Sequence, residues 1–360
     1  MQVIDNLSKA NLYGPSFVTV GSYDGVHVGH QHLLRQMKEA ADKAGYHTSL
    51  VTFYPRPQAV LAPHLPIHYL TMPAEKITLL ESLGLDLTAI LPFTRETART
   101  SAAQFAEGLV NHLKMRQLWV GPDFTLGRDR EGDIPTLCRL GQAMGFEVQV
   151  VEPFVRDGEV VSSTRIRHLL AMGQIRQATI LLGRYPSLTG QVVQGAQRGR
   201  LLGFPTANLS VTPERVIPAD GVYACFVWVD GERRLAVTNI GVRPSFAGVE
   251  RTVETHLLDF RGDLYGLDLR MEFVERLRPE KRFENLDDLV TQIRADAIQA
   301  AKLLAQEPPP PFHTAEVAEN AKNSKTSCQN KKKISNPPYC LVSDRTESAL
   351  LPIYDSPEIA

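Results

Sequence analysis

Directly after the first strong apolar run stands Gly21-Ser22-Tyr23-Asp24-Gly25-Val26-His27-Val28-Gly29-His30, leading into a helical pattern. The small residues Gly21, Gly25 and Gly29, with Asp24 among them, let the backbone turn tightly and a phosphate come close. A helix start adds unpaired N–H donors and the positive end of a dipole. His27 and His30, three apart, project from one turn toward one phosphate. Such a pair suits stabilising charge on a nucleotide α-phosphate while pyrophosphate leaves. Two histidines near a helix start are also ordinary capping residues, and the glycine frame is what favours chemistry. A second piece is Ser162-Ser163-Thr164-Arg165-Ile166-Arg167. Its hydroxyls cap a helix in any case, and Arg165 and Arg167 turn that start into an anion site for triphosphate oxygens. Between the two lies the turn-rich Gly121–Arg128 loop with Asp123 and Arg128, after a strand. That is where open α/β sheets take ligands.

A different phosphate apparatus follows later. Neither G-x-x-x-x-G-K-[ST] nor G-x-G-x-x-G occurs in the chain. Instead Gly195, Gly199 and Gly203 alternate with Arg198 and Arg200, a pattern that turns main-chain N–H groups toward an anion. Thr206 and Asn208, two apart on an extended segment, point the same way. Their neutral oxygens suit a magnesium ion held mainly by phosphates and waters. A glycine-rich barrel turn is the plainer alternative.

The elements that must position these groups are legible in outline. Apolar runs at 17–23, 47–54, 87–93, 116–121 and 146–154 read as buried strands. Helix-period stretches at 29–44, 73–84, 101–114 and 134–144 separate them, which predicts a doubly wound parallel sheet covered on both faces. Short helices are expected at 164–172 and 174–183. From Ser187 to about Arg276 the chain is rich in Gly, Pro and β-forming runs, as in an antiparallel barrel or sandwich. A closing helix at 285–305 is capped by Asn285 and carries Leu286, Leu289, Ile293, Ile298 and Leu303 as one stripe. After four prolines at 308–311, residues 307–360 lack periodicity and read as a disordered tail.

Composition narrows the partners. The 360 residues are 43% hydrophobic and 22% charged, and 39 basic against 40 acidic residues leave a net charge of −1. No global excess exists to hold a nucleic-acid backbone. No basic, apolar leader opens the chain, and no eighteen apolar residues follow one another. The scattered Cys138, Cys225, Cys328 and Cys340 show no C-x-x-C spacing. A reducing cytoplasm, with neither membrane nor nucleic acid as partner, is the expectation.

H-x-G-H after the first strand with a later S-S-T-x-I-R resembles the adenylyl- and cytidylyltransferase superfamily. LGFPTANL (202–209), GVYAC (221–225), TNIGVRPSF (238–246) and VETHLLDFRGDLYG (253–266) are similar to riboflavin kinase in order and wording. Taken together, residues 1–305 resemble the bacterial bifunctional riboflavin kinase/FMN adenylyltransferases, also called FAD synthetases. The resemblance implies an adenylyltransferase domain over 1–184 and a six-stranded barrel kinase over 185–306. It also implies conversion of riboflavin to FMN and then FAD, with ATP as co-substrate and Mg²⁺. By motif it makes Glu254 the kinase base, Thr206 and Asn208 the metal and phosphate pair, and His27 and His30 the adenylyl-transfer histidines. Three departures stand out. Phe53-Tyr54-Pro55-Arg56-Pro57 replaces the usual F-x-P-H-P, Arg184-Tyr185-Pro186 replaces R-P-Y/F, and Gly195-Ala196-Gln197 lacks the usual charged residues. Two other readings are an adenylyltransferase for another phosphorylated acceptor and a flavin-binding regulator without turnover. The tail has no recognised counterpart or partner.

Overall fold

The computed structural model describes residues 1–195, 199, 202–245 and 248–308, with the backbone alone of 243–245 and 248–250. Arg198, Arg200 and the expected tail from 309 onward lie outside the described residues. Parallel strands β1 (Gln2–Ile4), β2 (Ser16–Val20), β3 (His47–Phe53), β4 (Leu87–Leu91), β5 (Met115–Val120) and β6 (Glu147–Val150) form one sheet in the order β1-β4-β3-β2-β5-β6. Alternation along the strands decides which face each residue serves. Phe17, Leu50 and Trp119 pack beneath α1 (Val28–Ala44) and α3 (Pro73–Ser82). Their neighbours Val18, Val51 and Leu118 pack beneath α4 (Ala102–Leu113) and α5 (Ile134–Met144). The doubly wound arrangement is therefore present. Strand order reverses between β2 and β5, so the crevice for a ligand opens where the Gly21–His27 turn leaves the sheet.

Two sequence expectations about this sheet change. The run 17–23 stays extended only to Val20, because the next residues form the turn. The run 146–154 stops at Val150 and is followed by a small hairpin of β7 (Val155–Arg156) and β8 (Glu159–Val160). Short α2 (Pro57–Leu61), with proline at its first turn, and three-residue β1 carry too little periodicity to be read in advance.

Helices α6 (Ser163–Ala171) and α7 (Ile175–Leu182) lead to a closed antiparallel barrel. Its strands are β9 (Ser187–Val193), β10 (Ala207–Ser210), β11 (Gly221–Val229), β12 (Glu232–Ser245), β13 (Gly248–Leu257) and β14 (Asp268–Arg278). Leu188, Leu209, Tyr223, Ile240, Val253, Met271 and Phe273 fill the interior. The final helix α8 (Leu286–Gln306) presses Ala300 and Leu304 against Ala224, Phe226 and Val274. Its buried line is not the expected stripe, since Leu286 and Ile298 are 65% and 71% exposed. Asp296 takes the inner face instead, accepting from Arg278 Nε at 3.1 Å and Nη2 at 2.8 Å. The buried line of the helix is thus Asp296, Ala300 and Leu304, with the Arg278 ion pair at its first position.

Glu307, expected as the first tail residue, is anchored. Its carboxylate receives the Arg176 guanidinium, with Nη2 at 2.9 Å, and the Tyr185 hydroxyl at 2.8 Å; that hydroxyl also reaches the Pro308 carbonyl at 3.1 Å. A chain ending at Pro308 is expected to melt like the full chain, whereas one ending at Gln306 loses this clamp. Discounted for the exposure of Arg176, the loss is about 1 kcal/mol, or a Tm lower by about 2–4 °C. Equal melting temperatures by differential scanning calorimetry would show the clamp to be without weight.

Candidate active sites

At the carboxyl end of β2, one buried carboxylate organises the first constellation. Asp24 has no exposed surface and accepts from the backbone N–H groups of Leu70 at 3.0 Å and Thr71 at 3.1 Å. It also receives Arg56 Nη1 at 3.2 Å and the Arg167 Nη2. Ser163 donates its hydroxyl to the Asp24 carbonyl at 2.8 Å. The glycine turn, the Tyr54-Pro55-Arg56 segment and the start of α6 therefore meet at one residue. Arg56, the departure from the expected F-x-P-H-P, is part of this cluster.

His27 closes the turn and caps α1, its Nδ1 accepting the His30 N–H at 3.3 Å, which leaves the ring proton on Nε2. The two imidazoles stack with centroids 3.6 Å apart and planes 16° from parallel. Burial, and next the Arg184 charge, pushes His27 down to about 4; burial, and next His27, holds His30 well below its ordinary value. Both rings are neutral near pH 7, so they offer N–H donors without adding charge. His30 Nδ1 is buried and has no hydrogen-bond partner among the described residues. An orphaned polar atom beside a helix start is where a ligand oxygen fits.

Two cations that sequence reading left out hold the turn from below. Lys76 Nζ donates to the Ser22 carbonyl at 2.6 Å and to Thr52 Oγ1 at 3.4 Å, and burial lowers it to about 8. Arg184 Nη2 donates to the Gly25 carbonyl at 2.7 Å, and burial lowers it to about 10. The signal for Lys76 was its place on the inner face of α3, one turn before Leu79 and Leu80. Arg184 was visible only as part of the altered joint motif.

The remaining expected residues fall differently. Ser162 caps α6, accepting the Arg165 N–H at 3.2 Å, and Thr164 is exposed. Arg165 turns to the β7–β8 hairpin, with Nε 3.0 Å from Glu159 and Nη1 donating to the Arg156 carbonyl at 3.2 Å. Asp123 and Arg128 are exposed on the loop after β5, the strand beside β2, and Arg128 lies 3.9 Å from Glu131.

In the barrel, register does the assembling. Asn208 on β10 stands directly opposite Glu254 on β13, and Glu254 stands opposite Asn239 on β12. Directly opposed residues share a face, so these three lie on the outer surface while Leu209, Val253 and Ile240 point inward. Asn239 was not singled out in the sequence. The glycines act by absence: a Cβ on Gly195 would lie 2.1 Å from the Asn208 amide nitrogen. One on Gly199 would lie 2.4 Å from the Phe204 carbonyl oxygen and 3.3 Å from Thr206 Oγ1. Gly203 takes the left-handed φ of 84°, and His256 Nδ1 sits 2.8 Å from the Pro205 carbonyl, bracing the Thr206–Asn208 segment. Beside it opens a cavity of about 540 Å³, lined by Thr206, Thr255, Phe260, Arg261, Asp263 and Tyr265 among others.

A family model described as FAD synthetase matches residues 10–165, and one described as riboflavin kinase matches 182–304. The bifunctional riboflavin kinase/FMN adenylyltransferase of Escherichia coli (strain K12) is 38% identical over 82% of this chain and 95% of its own length. Its Pseudomonas fluorescens counterpart is 40% identical over 80% and 92%. A solved Streptococcus pneumoniae structure, described as a macrolide-efflux protein, superposes with a TM-score of 0.78 at 31% identity, covering 84% of this chain and 98% of that one. No described helix of the present chain is long and apolar enough to cross a membrane.

Neutral, buried histidines have a thermodynamic signature. His27 takes its proton near pH 4 in the folded chain and near 6.5 when exposed. Between those values the unfolded chain holds more protons, so stability falls as pH drops from about 6.5 toward 4. Each pK unit of difference amounts to about 1.4 kcal/mol. Urea denaturation at pH 7 and pH 5 is expected to show a smaller acid-side loss in His27→Gln than in the parent chain. Equal losses in both would contradict the buried neutral ring.

Proposed function

The chain belongs to the bifunctional riboflavin kinase/FMN adenylyltransferase family, phosphorylating riboflavin to FMN and adenylylating FMN to FAD, and from that premise we propose how its residues divide the two reactions. Residues 1–184 carry adenylyl transfer. The FMN phosphate oxygen attacks the α-phosphorus of ATP and pyrophosphate leaves. Arg56 and Arg167, held by Asp24, attract the triphosphate, while the start of α1 and the neutral His27 and His30 donate to oxygens that gain charge as the bond breaks. Asp24 itself, buried and enclosed by donors, positions the arginines rather than touching phosphate. The observation that carries this reading is the convergence of Arg56, Arg167 and Ser163 on Asp24 beside the orphaned His30 Nδ1.

Residues 185–306 carry the kinase reaction. Glu254 accepts the proton of the ribityl hydroxyl as that oxygen attacks the γ-phosphorus, and ADP leaves. Thr206 and Asn208 fit a magnesium ion: they are hard, neutral oxygen donors on one face, and the missing Cβ of Gly199 leaves Thr206 Oγ1 approachable. Among the described residues no cluster of three or more His, Cys, Asp or Glu side chains stands ready for a metal. Phosphate oxygens would therefore supply much of the coordination, and the ion would offset their charge. Gly195, Gly199 and Gly203 keep the phosphate approach open, with Arg200 assigned there by motif. Riboflavin, FMN, FAD and ATP are the small-molecule partners, and the cytoplasm is the compartment that fits free cysteines and these substrates.

Two sites imply separable defects. Glu254→Gln keeps size and shape but removes the basic carboxylate, so FMN formation is expected to fall at least about 100-fold while added FMN still becomes FAD. His30→Ala is expected to do the reverse, by a similar factor. Chromatographic separation of flavins formed from riboflavin and, separately, from FMN checks both. Loss of both reactions in either folded variant would instead point to one shared site.

For Arg56→Ala the expected result is a higher apparent KM for ATP or FMN in adenylylation, with riboflavin phosphorylation unchanged. The guanidinium contributes a charged fork that alanine lacks. Parental kinetics for both substrates would reduce Arg56 to a structural tie.

A further inference from the structure

We propose that Arg215, a residue of the barrel half, is a positioning residue for FMN adenylylation in the other half. The proposal rests on assigning the Asp24 cluster to adenylyl transfer. Arg215 lies between β10 and β11 and does not line the 540 Å³ cavity beside Thr206. Its backbone forms a parallel bridge with Tyr69: the Tyr69 N–H donates to the Glu214 carbonyl at 2.7 Å, and the Val216 N–H donates to the Tyr69 carbonyl at 3.0 Å. The next two N–H groups after Tyr69, those of Leu70 and Thr71, end on Asp24. One short segment is thus pinned by the barrel on one side and holds the carboxylate of the phosphate turn on the other.

The Arg215 side chain reinforces the same segment. It is 5% exposed, Nη2 donates to Glu75 Oε1 at 3.1 Å and to the Ser187 carbonyl at 2.6 Å, and Nη1 lies 2.8 Å from Glu75 Oε2. Glu75 also accepts the Met72 N–H at 3.0 Å and so fixes the start of α3. From that helix the adjacent Lys76 reaches up to the Ser22 carbonyl of the turn. Tyr69 continues the chain of contacts, since its hydroxyl accepts the Arg56 N–H at 3.1 Å and its ring lies under the Arg56 guanidinium at 5.7 Å. The start of α3, and with it Lys76 on the Ser22 carbonyl, is thus located through the Arg215 side chain, while the Glu214–Val216 backbone that this side chain anchors locates Arg56 and Asp24 through Tyr69. A misplacement of about 1 Å in such a constellation costs on the order of 100-fold in rate.

A plain stability tie between halves would weaken both reactions or neither. A positioning role weakens one. The test uses Arg215→Met, which keeps the packing of the stem and removes the charge, and Arg215→Lys, which keeps a charge for Glu75. Each full-length protein is assayed with riboflavin and ATP, and with FMN and ATP. The expected result for Arg215→Met is an adenylylation kcat lowered about 10-fold or more with a raised KM for ATP, riboflavin phosphorylation within twofold of the parent, and partial recovery of adenylylation in Arg215→Lys. Unchanged adenylylation, a parallel fall of both activities, or a loss as deep in Arg215→Lys as in Arg215→Met would overturn the proposal. His30→Ala in the same series separates the two levels. If that variant kept full adenylylation, the site assignment would fail, whatever Arg215 showed.

Discussion

A carboxylate without solvent is the constraint on which the adenylyl half turns. Burying Asp24 costs several kcal/mol unless its lone pairs are met. They are met by two backbone N–H groups and two guanidiniums drawn from three separate stretches of chain. Satisfying one residue therefore gathers the site. The turn it sits in needs that gathering, because Tyr23 and Val26 adopt positive φ of 43° and 39°, unfavourable for side chains of their size. Such strain persists only where the surroundings over-determine it. Lys76 on the Ser22 carbonyl, Arg184 on the Gly25 carbonyl and Ser163 on the Asp24 carbonyl supply the over-determination.

The barrel solves a similar problem without buried charge at its reacting face. Antiparallel register sets Asn208, Glu254 and Asn239 side by side, and a slip of one residue would send all three into the apolar interior. The inward residues Leu209, Val253 and Ile240 oppose that slip with their own burial. Packing of the core and orientation of the polar row are thus one constraint. Glycine completes the arrangement, since Gly195 against Asn208 and Gly199 against the Phe204 carbonyl leave no space for a Cβ.

These two solutions explain what sequence reading captured. Strands such as β2 and β3, and the inward positions of the barrel, were legible because alternation and turn residues are local signals. The register that sets Asn208 opposite Glu254, with Thr206 just before that strand, follows from the same alternation. What local pattern does not show is which charged groups pair. The α8 stripe differs from the expected one in that Asp296, paired with Arg278, lies on the buried side. Arg165 was read beside Arg167 as a phosphate ligand, yet Glu159 and the hairpin carbonyls hold it. Lys76 and Arg215 carry no motif, and Arg184 only an altered one. Their partners are carbonyls and carboxylates brought near only by the finished fold. Local pattern names the candidate groups, and charges brought near by the fold surround them.

The balance of charge at the turn fits the proposed chemistry better than a simple anion trap. Arg56, Lys76, Arg167 and Arg184 surround the turn with Asp24 as the carboxylate between them, leaving excess positive charge for a triphosphate. If the two histidines were also charged, they would add to the binding of the ground-state triphosphate, and binding shared equally by ground and transition states does not raise the rate of the chemical step. Kept neutral chiefly by burial, with the Arg184 charge next for His27 and His27 next for His30, they can present N–H groups at the start of α1, where the proposed reaction builds negative charge as the α–β bond parts. In the proposed reaction the cations serve capture and the imidazoles acceleration. The same burial that strains the turn keeps those two roles apart.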